Sequence, residues 1–421
     1  KQQAILYLSN RLNLRFYDSI EKKILYKPLT DSYENKRKIN NLVFKFILNQ
    51  ITSHSKKYSI NIEKGNLISM MTRRLLLFLN KPNFSNDKDY YGNKRLELSG
   101  QLYSLLFEDL FKKANTELTK YNEFYNQKTR KIFFFDYSSS FRQDLISNGL
   151  EIALLTGNWS IKKYIFEKNG ITQTISRLSY ISGFSGTTKI TTGFKKIRKS
   201  TGPRFLNSSQ WGAICPIDTP EGESCGLVKN LSILSHISNK ENQSYILDLC
   251  YDMGLGLNGF FFSNSTKKKE NISNVFLNGI YIGIHANTSA FLYSLRKMRR
   301  LGYIGEFVSF YWETSINIVN IYTDSGRVCR PLNIIKNGNI LIEKIRPNLI
   351  KKGLIFFKDL LRTGFIEFLD VNEQNNALIA VEKTDVTLKT THLELSSDII
   401  LGICGSLVPF SEHNQYPRNT Y

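Results

Sequence analysis

The chain has 421 residues, of which 41% are apolar and 13% aromatic, so it can bury real cores and is not disordered overall. That length accommodates two to four domains of roughly 100–200 residues each. Its 57 basic and 36 acidic residues leave a formal net charge of +21, a surplus that points to a polyanionic partner, nucleic acid first, with lysine-rich solvated faces as the alternative. Residues 1–95 mix helix-like stretches with basic loops, and 83–95 (NFSNDKDYYGNKR) is polar and turn-rich, a surface loop. After it Leu102, Leu105, Leu106, Leu110 and Phe111 recur at helical spacing, which predicts a helix beginning near Ser99 and fading into the polar, aromatic run TKYNEFYNQKTR. Residues 170–235 are dense in glycine, proline and hydroxyls and lack long periodic elements, the mark of a functional irregular segment. Then comes a β-rich part. In VFLNGIYIGI (275–284) Asn278-Gly279 separates two apolar runs, predicting a hairpin with a type I′ turn. Residues 288–301 read as a short helix ended by Gly302, whose Arg296, Lys297, Arg299 and Arg300 either contact phosphate or form a solvated face. Ile316, Ile318 and Ile321 lead to a turn at Asp324-Ser325-Gly326. No internal repeat is evident, and the chain reads as α+β.

Generic catalytic signatures are absent: there is no Walker loop, no GxGxxG after a strand, no GxSxG and no HExxH. Asp87-Lys88-Asp89 places two carboxylates two residues apart, a pattern that is usually a turn, and nothing resembles the clustered aspartates of two-metal phosphoryl transfer. The five cysteines, Cys215, Cys225, Cys250, Cys329 and Cys404, include no CxxC pair. Structural zinc and a disulfide framework are therefore not expected, and a reducing compartment fits. No apolar run reaches the ~18 residues that span a bilayer, and no signal peptide opens the chain. The sequence begins at Lys1 rather than Met and stops at Tyr421 without a tail, so both ends read as cut.

The most informative stretch is 202–238, GPRFLNSSQWGAICPIDTPEGESCGLVKNLSILSHIS. Its core, TPEGESCGLVKNL, packs glycines, a proline, acids and a lysine into a tight path, a rigid loop with converging polar groups or a purely structural turn. This segment resembles the fork region of the second-largest subunits of multisubunit DNA-dependent RNA polymerases. Further stretches resemble the same family in the same order: 87–100 (DKDYYGNKRLELSG), 149–160 (GLEIALLTGNWS), 176–182 (SRLSYIS), 322–332 (YTDSGRVCRPL), and 356–380 followed by 390–421 with TTHLEL, LVPFSEHNQ and PRNTY. The resemblance covers about residues 60 to 421. SRLSYISGF followed by FKKIRKSTGPRFLNSSQWG is more similar to the RNA polymerase III form than to the RNA polymerase II form. The RNA polymerase II subunit and a non-catalytic basic nucleic-acid-binding protein are the alternatives.

The resemblance implies a multidomain α+β architecture: lobe (1–98), return into the protrusion (99–170), fork (171–240), two external domains (241–326 and 327–405) and the start of the hybrid-binding domain (406–421). It implies template-directed RNA synthesis in the nucleus by the whole complex, with Mg2+ held mainly by the largest subunit and no zinc in this piece. The implied partners are DNA template, RNA–DNA hybrid, ribonucleoside triphosphates, the largest subunit and smaller polymerase subunits, with no membrane. Arg418, in PRNTY, matches the family arginine that approaches the incoming triphosphate, a task suited to a permanently charged, forked donor. Gln415 and Tyr421 flank it as nucleotide-binding candidates, with packing as the alternative. Glu221, in TPEG, matches the fork acid beside those basic groups, where it would orient a cation or cap a turn. Lys195, Lys196, Arg198, Lys199 and Arg204, with Arg177 nearby, form a basic stretch suited to phosphate neutralisation or to a solvated loop. Lys229 and Asn230 either touch hybrid or template backbone or pack within the fork. Trp211 either stacks on a base or packs in a core, and His413 is not assigned as a general base. Near Asp218 close relatives often carry a small residue or Glu. The later lysines near the RNA 3′ end, the wall and the zinc-bearing clamp are missing, so this piece alone is not expected to polymerise.

Overall fold

A computed structural model describes residues 57–80, 87–129, 144–159, 170–192, 200–256 and 272–421. The chain divides into two compact units, Lys1–Lys88 and Asp89–Tyr421. In the first, the described residues form helix α1 (Lys57–Asn80) and the start of the turn after residue 86. The remainder of the predicted helix-and-loop mixture there lies outside the described residues.

The second unit carries the rest. Helix α2 (Ser99–Thr129) starts where the leucine spacing predicts, but it continues through the polar, aromatic run instead of fading. No glycine or proline interrupts 101–129, so nothing local breaks the helix once it is nucleated. Helix α3 (Asp144–Thr156) packs on it, burying Ala153 and Trp159 with Leu106 and Leu110. Helix α4 (Tyr180–Thr188) is capped by Ser179, whose side chain accepts from the Ser182 amide, and it leads straight into strand β1 (Lys189–Thr191). β1 pairs antiparallel with β2 (Val228–Asn230). Between them the described chain makes three single 3-10 turns, Gly202–Arg204, Ser208–Gln210 and Gly222–Ser224, in keeping with a segment lacking long elements.

Strand β3 (His236–Ile237) is followed by helix α5 (Gln243–Asp252) and the hairpin β4 (Ser273–Leu277) and β5 (Ile280–His285). Asn278 (φ 49°) and Gly279 (φ 81°) form its turn in the left-handed region, as the Asn-Gly pair predicts. Helix α6 (Thr288–Arg300) begins at Asn287, whose side chain accepts from the Ala290 amide. It ends before Gly302 at φ 79°. Strands β6 (Ser309–Glu313) and β7 (Ile318–Tyr322) complete a sheet ordered β5-β4-β7-β6, in which β4 and β7 run parallel. Val275, Leu277, Phe310 and Ile321 from this sheet bury against Ile246 and Cys250 of α5 and Phe291 and Leu295 of α6.

The second sheet is built on β8 (Val328–Lys336), buried along all but its last residue. β9 (Asn339–Ile340) turns back on its end. Helices α7 (Pro347–Lys351) and α8 (Phe357–Arg362) precede β10 (Ile366–Asp370), helix α9 (Val371–Gln374), β11 (Ile379–Ala380), β12 (His392–Leu393) and helix α10 (Ile403–Leu407). β10 covers one side of β8 from Cys329 to Asn333. The other side is shared by β3 at 328–329 and β12 at 333–334. Pro331, which has no N–H to donate, therefore sits in the gap between those two partners, the position a central strand can spare.

The basic side chains of α6 require a correction to both readings offered from sequence. Arg299 is buried and donates to both Glu373 oxygens at 2.7 and 2.9 Å and to Glu367 at 3.0 Å. Arg300 reaches Glu367 at 2.6 Å and Arg296 lies 3.4 Å from Glu373, while Lys297 alone of the four is fully exposed. His392 places Nε2 2.6 Å from Glu367. Beside them Arg327 pairs with Asp370 at 3.0 Å and with Asp324 at 2.9 Å, and Arg330 pairs with Glu394. The helix charges thus tie the first sheet to the second through buried carboxylates, and only a charge so paired can be kept inside.

A short segment at the start of this unit joins several of these parts. The Tyr91 amide donates to Ser209 Oγ at 3.0 Å, Lys229 Nζ to Tyr91 Oη at 2.9 Å, the Leu96 amide to Gly326 O at 2.7 Å and Asn372 Nδ2 to Gly92 O at 3.1 Å. Gly92 is needed for that approach, because a Cβ there would stand 2.1 Å from Asn372 Oδ1. Asp89, from the DKD triplet, lies in a turn and pairs with Lys94 at 3.7 Å.

Candidate functional site

The turn that carries Glu221 is closed by side chains on both flanks. Thr219 Oγ1 accepts from the Gly226 amide at 2.9 Å and donates to Val228 O at 3.1 Å. Arg204 Nη1 donates to Glu223 O and Cys225 O, each at 2.7 Å. Gly226, at φ 72°, lies so close that a Cβ would stand 2.4 Å from Arg204 O, a path only glycine can follow. Glu221, extended and immediately before the 3-10 turn, is presented at the surface.

The second half of the site comes from the chain's last residues. Phe410 adopts the left-handed conformation at φ 51°, and the loop after it is held by Asn414 Nδ2 donating to Asn419 Oδ1 and Asn419 Nδ2 donating to Ser411 O, each at 3.1 Å. The single turn Tyr416–Thr420 follows. Thr420 then docks on the Asp218–Thr219 segment: its hydroxyl lies 2.9 Å from Asp218 Oδ1 and 3.0 Å from Thr219 O, and it accepts from the Thr219 amide at 3.1 Å, a partner 201 residues away. Asp218 is buried, and burial raises its pKa above the ordinary value, with the Thr420 hydrogen bond and Lys189 working in the opposite direction.

This docking brings Arg418 Nε to 2.7 Å from Glu221 Oε1, with side chains 66% and 38% exposed. Glu221 is the one ion-pair partner of Arg418 among the described residues. Gln415, Tyr421 and His413 are exposed on the same terminal segment, and His413 lies 3.7 Å from Glu412. The arrangement offers a solvent-reachable guanidinium whose charge is balanced by a single exposed carboxylate, so an incoming polyphosphate can compete for it. Among the described residues no three His, Cys, Asp or Glu side chains converge as a metal site.

Several predicted contacts fall elsewhere. Lys195, Lys196, Arg198 and Lys199 lie outside the described residues. Lys229 and Asn230 do not face outward: they are 6% and 2% exposed, held in β2 by strand pairing with β1. Lys229 donates to Tyr91, and burial, with help from Lys94, lowers its pKa to about 8 despite nearby Asp89. Arg204 spends a guanidinium nitrogen on the carbonyls of Glu223 and Cys225. Arg177 is exposed. Trp211 is no core residue: 51% exposed, it stands on the wall of a cleft of about 450 Å³ with Tyr90, Arg330, Gln374 and Glu394. Thr420 and Tyr91 were not singled out by sequence, and Asp218 was noted only as a place where relatives often carry a small residue or Glu. Thr420 had one available signal, its place two residues after Arg418, whereas Tyr91 had none beyond lying in a matching stretch.

Three stretches of the chain match known families: residues 172–237 match RNA polymerase Rpb2, domain 3; 275–336 match RNA polymerase Rpb2, domain 4; and 357–398 match RNA polymerase Rpb2, domain 5. The chain belongs to the family of RNA polymerase second-largest subunits. Within it, the chain is similar to the proteins named DNA-directed RNA polymerase III subunit RPC2. It is 44% identical to that of Schizosaccharomyces pombe over 85% of this chain and 31% of the relative. The Drosophila melanogaster protein is 38% identical over 100% and 36%, and that of Saccharomyces cerevisiae 42% over 85% and 31%. The chain thus spans about a third of the length of these curated relatives. Among the described residues no helix is long and apolar enough to cross a membrane.

Proposed function

We propose that this chain is the fork-bearing part of the second-largest subunit of RNA polymerase III, and that it contributes to template-directed RNA synthesis from ribonucleoside triphosphates. In this reading residues 1–98 belong to the lobe, 99–170 to the protrusion, 171–240 to the fork, 241–326 and 327–405 to the external domains and 406–421 to the hybrid-binding domain. The whole complex works in the nucleus on a DNA template and an RNA–DNA hybrid. The largest subunit supplies the main ligands of the Mg2+ ions, and smaller subunits complete the assembly. This chain's part is electrostatic: Arg418 meets the triphosphate and Glu221 orients the guanidinium until the nucleotide arrives.

The observation that supports this reading is the 2.7 Å approach of Arg418 to Glu221, which joins two distant motifs at one exposed surface. A basic storage or architectural protein would need the charge but not this pairing. The test is Arg418→Ala in the full-length subunit of the assembled polymerase. Removing a charge-assisted contact worth about 1.5–3 kcal/mol should raise the apparent nucleotide KM or slow elongation by about 10- to 100-fold. Elongation at the wild-type rate and KM would remove the role assigned to Arg418.

A further inference from the structure

The guanidinium of Arg418 is exposed and touches the fork through one carboxylate, so something else must fix its place. The half-buried tie next to it is Thr420. Its hydroxyl both donates and accepts, giving its proton to Asp218 Oδ1 or Thr219 O and accepting from the Thr219 amide. Asp218 is itself fixed: it is 3% exposed, its carbonyl accepts from Asn230 Nδ2 at 3.4 Å, and Asn230 is held in register with Lys189 across β1 and β2. Its other oxygen, Oδ2, has no hydrogen-bond partner, so Thr420 is the side-chain donor to this buried carboxyl. Thr420 closes the same single turn that contains Arg418, and the amides of Arg418 and Tyr421 donate to Gln415 O at 2.8 Å and Arg418 O at 3.2 Å. A rotation at Thr420 therefore displaces Arg418.

We propose that Thr420 and Asp218 are positioning residues, a hydroxyl–carboxyl latch that registers the Arg418 turn on the β1–β2 ribbon and so sets where the guanidinium meets the nucleotide. This rests on the reading of Arg418 as a triphosphate contact. The latch does not touch substrate; its effect should pass through Arg418 alone.

The test uses the assembled polymerase carrying the full-length subunit and single-nucleotide addition with KM and kcat measured separately. Thr420→Val keeps the shape and removes the hydroxyl. It should raise nucleotide KM about fivefold, the equivalent of about 1 kcal/mol for one hydrogen bond, with a smaller change in kcat. Thr420→Ser, which restores the hydroxyl, should return KM to within about twofold of wild type. On an Arg418→Ala background Thr420→Val should add nothing further. If Thr420→Val enters the complex poorly, Thr420→Ala gives the same comparison. The latch is overturned if Thr420→Val leaves KM unchanged while Arg418→Ala raises it, or if Thr420→Val raises KM equally with and without Arg418. Should Arg418→Ala itself leave KM unchanged, the triphosphate reading fails first and the latch loses its purpose with it.

Discussion

Lys229 shows how a residue's neighbours can overrule its type. A lysine in a basic, glycine-rich loop suggests a phosphate contact, yet this one is enclosed between the β1–β2 ribbon and Tyr91, its nitrogen 5.2 Å from that ring's centre. Folding favours the neutral amine, because burial lowers its pKa to about 8 while an unfolded lysine stays near 10.5. A folded-state pKa below the unfolded one means that stability rises as pH climbs from about 8 to 10.5. Lys229→Met should remove that rise, and at pH 7 change stability by no more than about 1 kcal/mol, measured by urea unfolding of the full-length subunit across this range. The salt dependence of its nucleic-acid binding should stay as in wild type, whereas a flatter slope would return Lys229 to the phosphate-facing surface. Burial of this kind is hard to read from sequence, since the enclosing Tyr91 lies 138 residues upstream.

At the scale of elements, what could be read depended on how local the cause is. The β4–β5 hairpin was legible because Asn278 and Gly279 carry the left-handed conformation themselves, and the end of α6 was legible because Gly302 does the same. The charges of α6 were not legible. Their carboxylate partners, Glu367 and Glu373, arrive 67 to 77 residues later, and no periodicity announces them. The same network makes a testable pH claim. Burial alone would raise the pKa of Glu367, but Arg299, His392 and Arg300 together hold it well below the ordinary value of 4.5. A depressed carboxyl contributes stability that is complete above about pH 4.5 and is lost as the pH falls further. Glu367→Gln should therefore flatten the acid limb of a stability–pH curve and, by stranding buried guanidinium charge, cost about 3–5 kcal/mol at neutral pH. A variant as stable as wild type at pH 7 would show that the two sheets are held by apolar packing instead.

For the molecule as a whole, the +21 charge pointed to a polyanion but not to a place on the surface. Of the basic residues singled out from sequence, Arg204, Lys229, Arg299 and Arg300 are engaged with the protein's own atoms. Arg177 and Lys297 are exposed, and the stretch around Lys195, outside the described residues, keeps the expectation made for it. Neutralising Lys195, Lys196 and Arg198 together in the assembled polymerase should weaken nucleic-acid binding and reduce its logarithmic salt slope by about 2 to 3. An unchanged slope would assign those charges to solvent. The candidate site was legible as two motifs, TPEG and PRNTY, which the resemblance already implied lie together, but the threonine through which they dock was marked only by its place two residues after Arg418.

The strip from Tyr91 to Leu96 has a further consequence for how such a chain is made. Its partners on β2, at Gly326 and on α9 leave the ribosome after it, as much as 280 residues later. At about 5–20 residues per second, on the order of tens of seconds must pass before Asn372 exists to receive Gly92. Through that interval Tyr91 and Leu96 wait without the native neighbours that later enclose them.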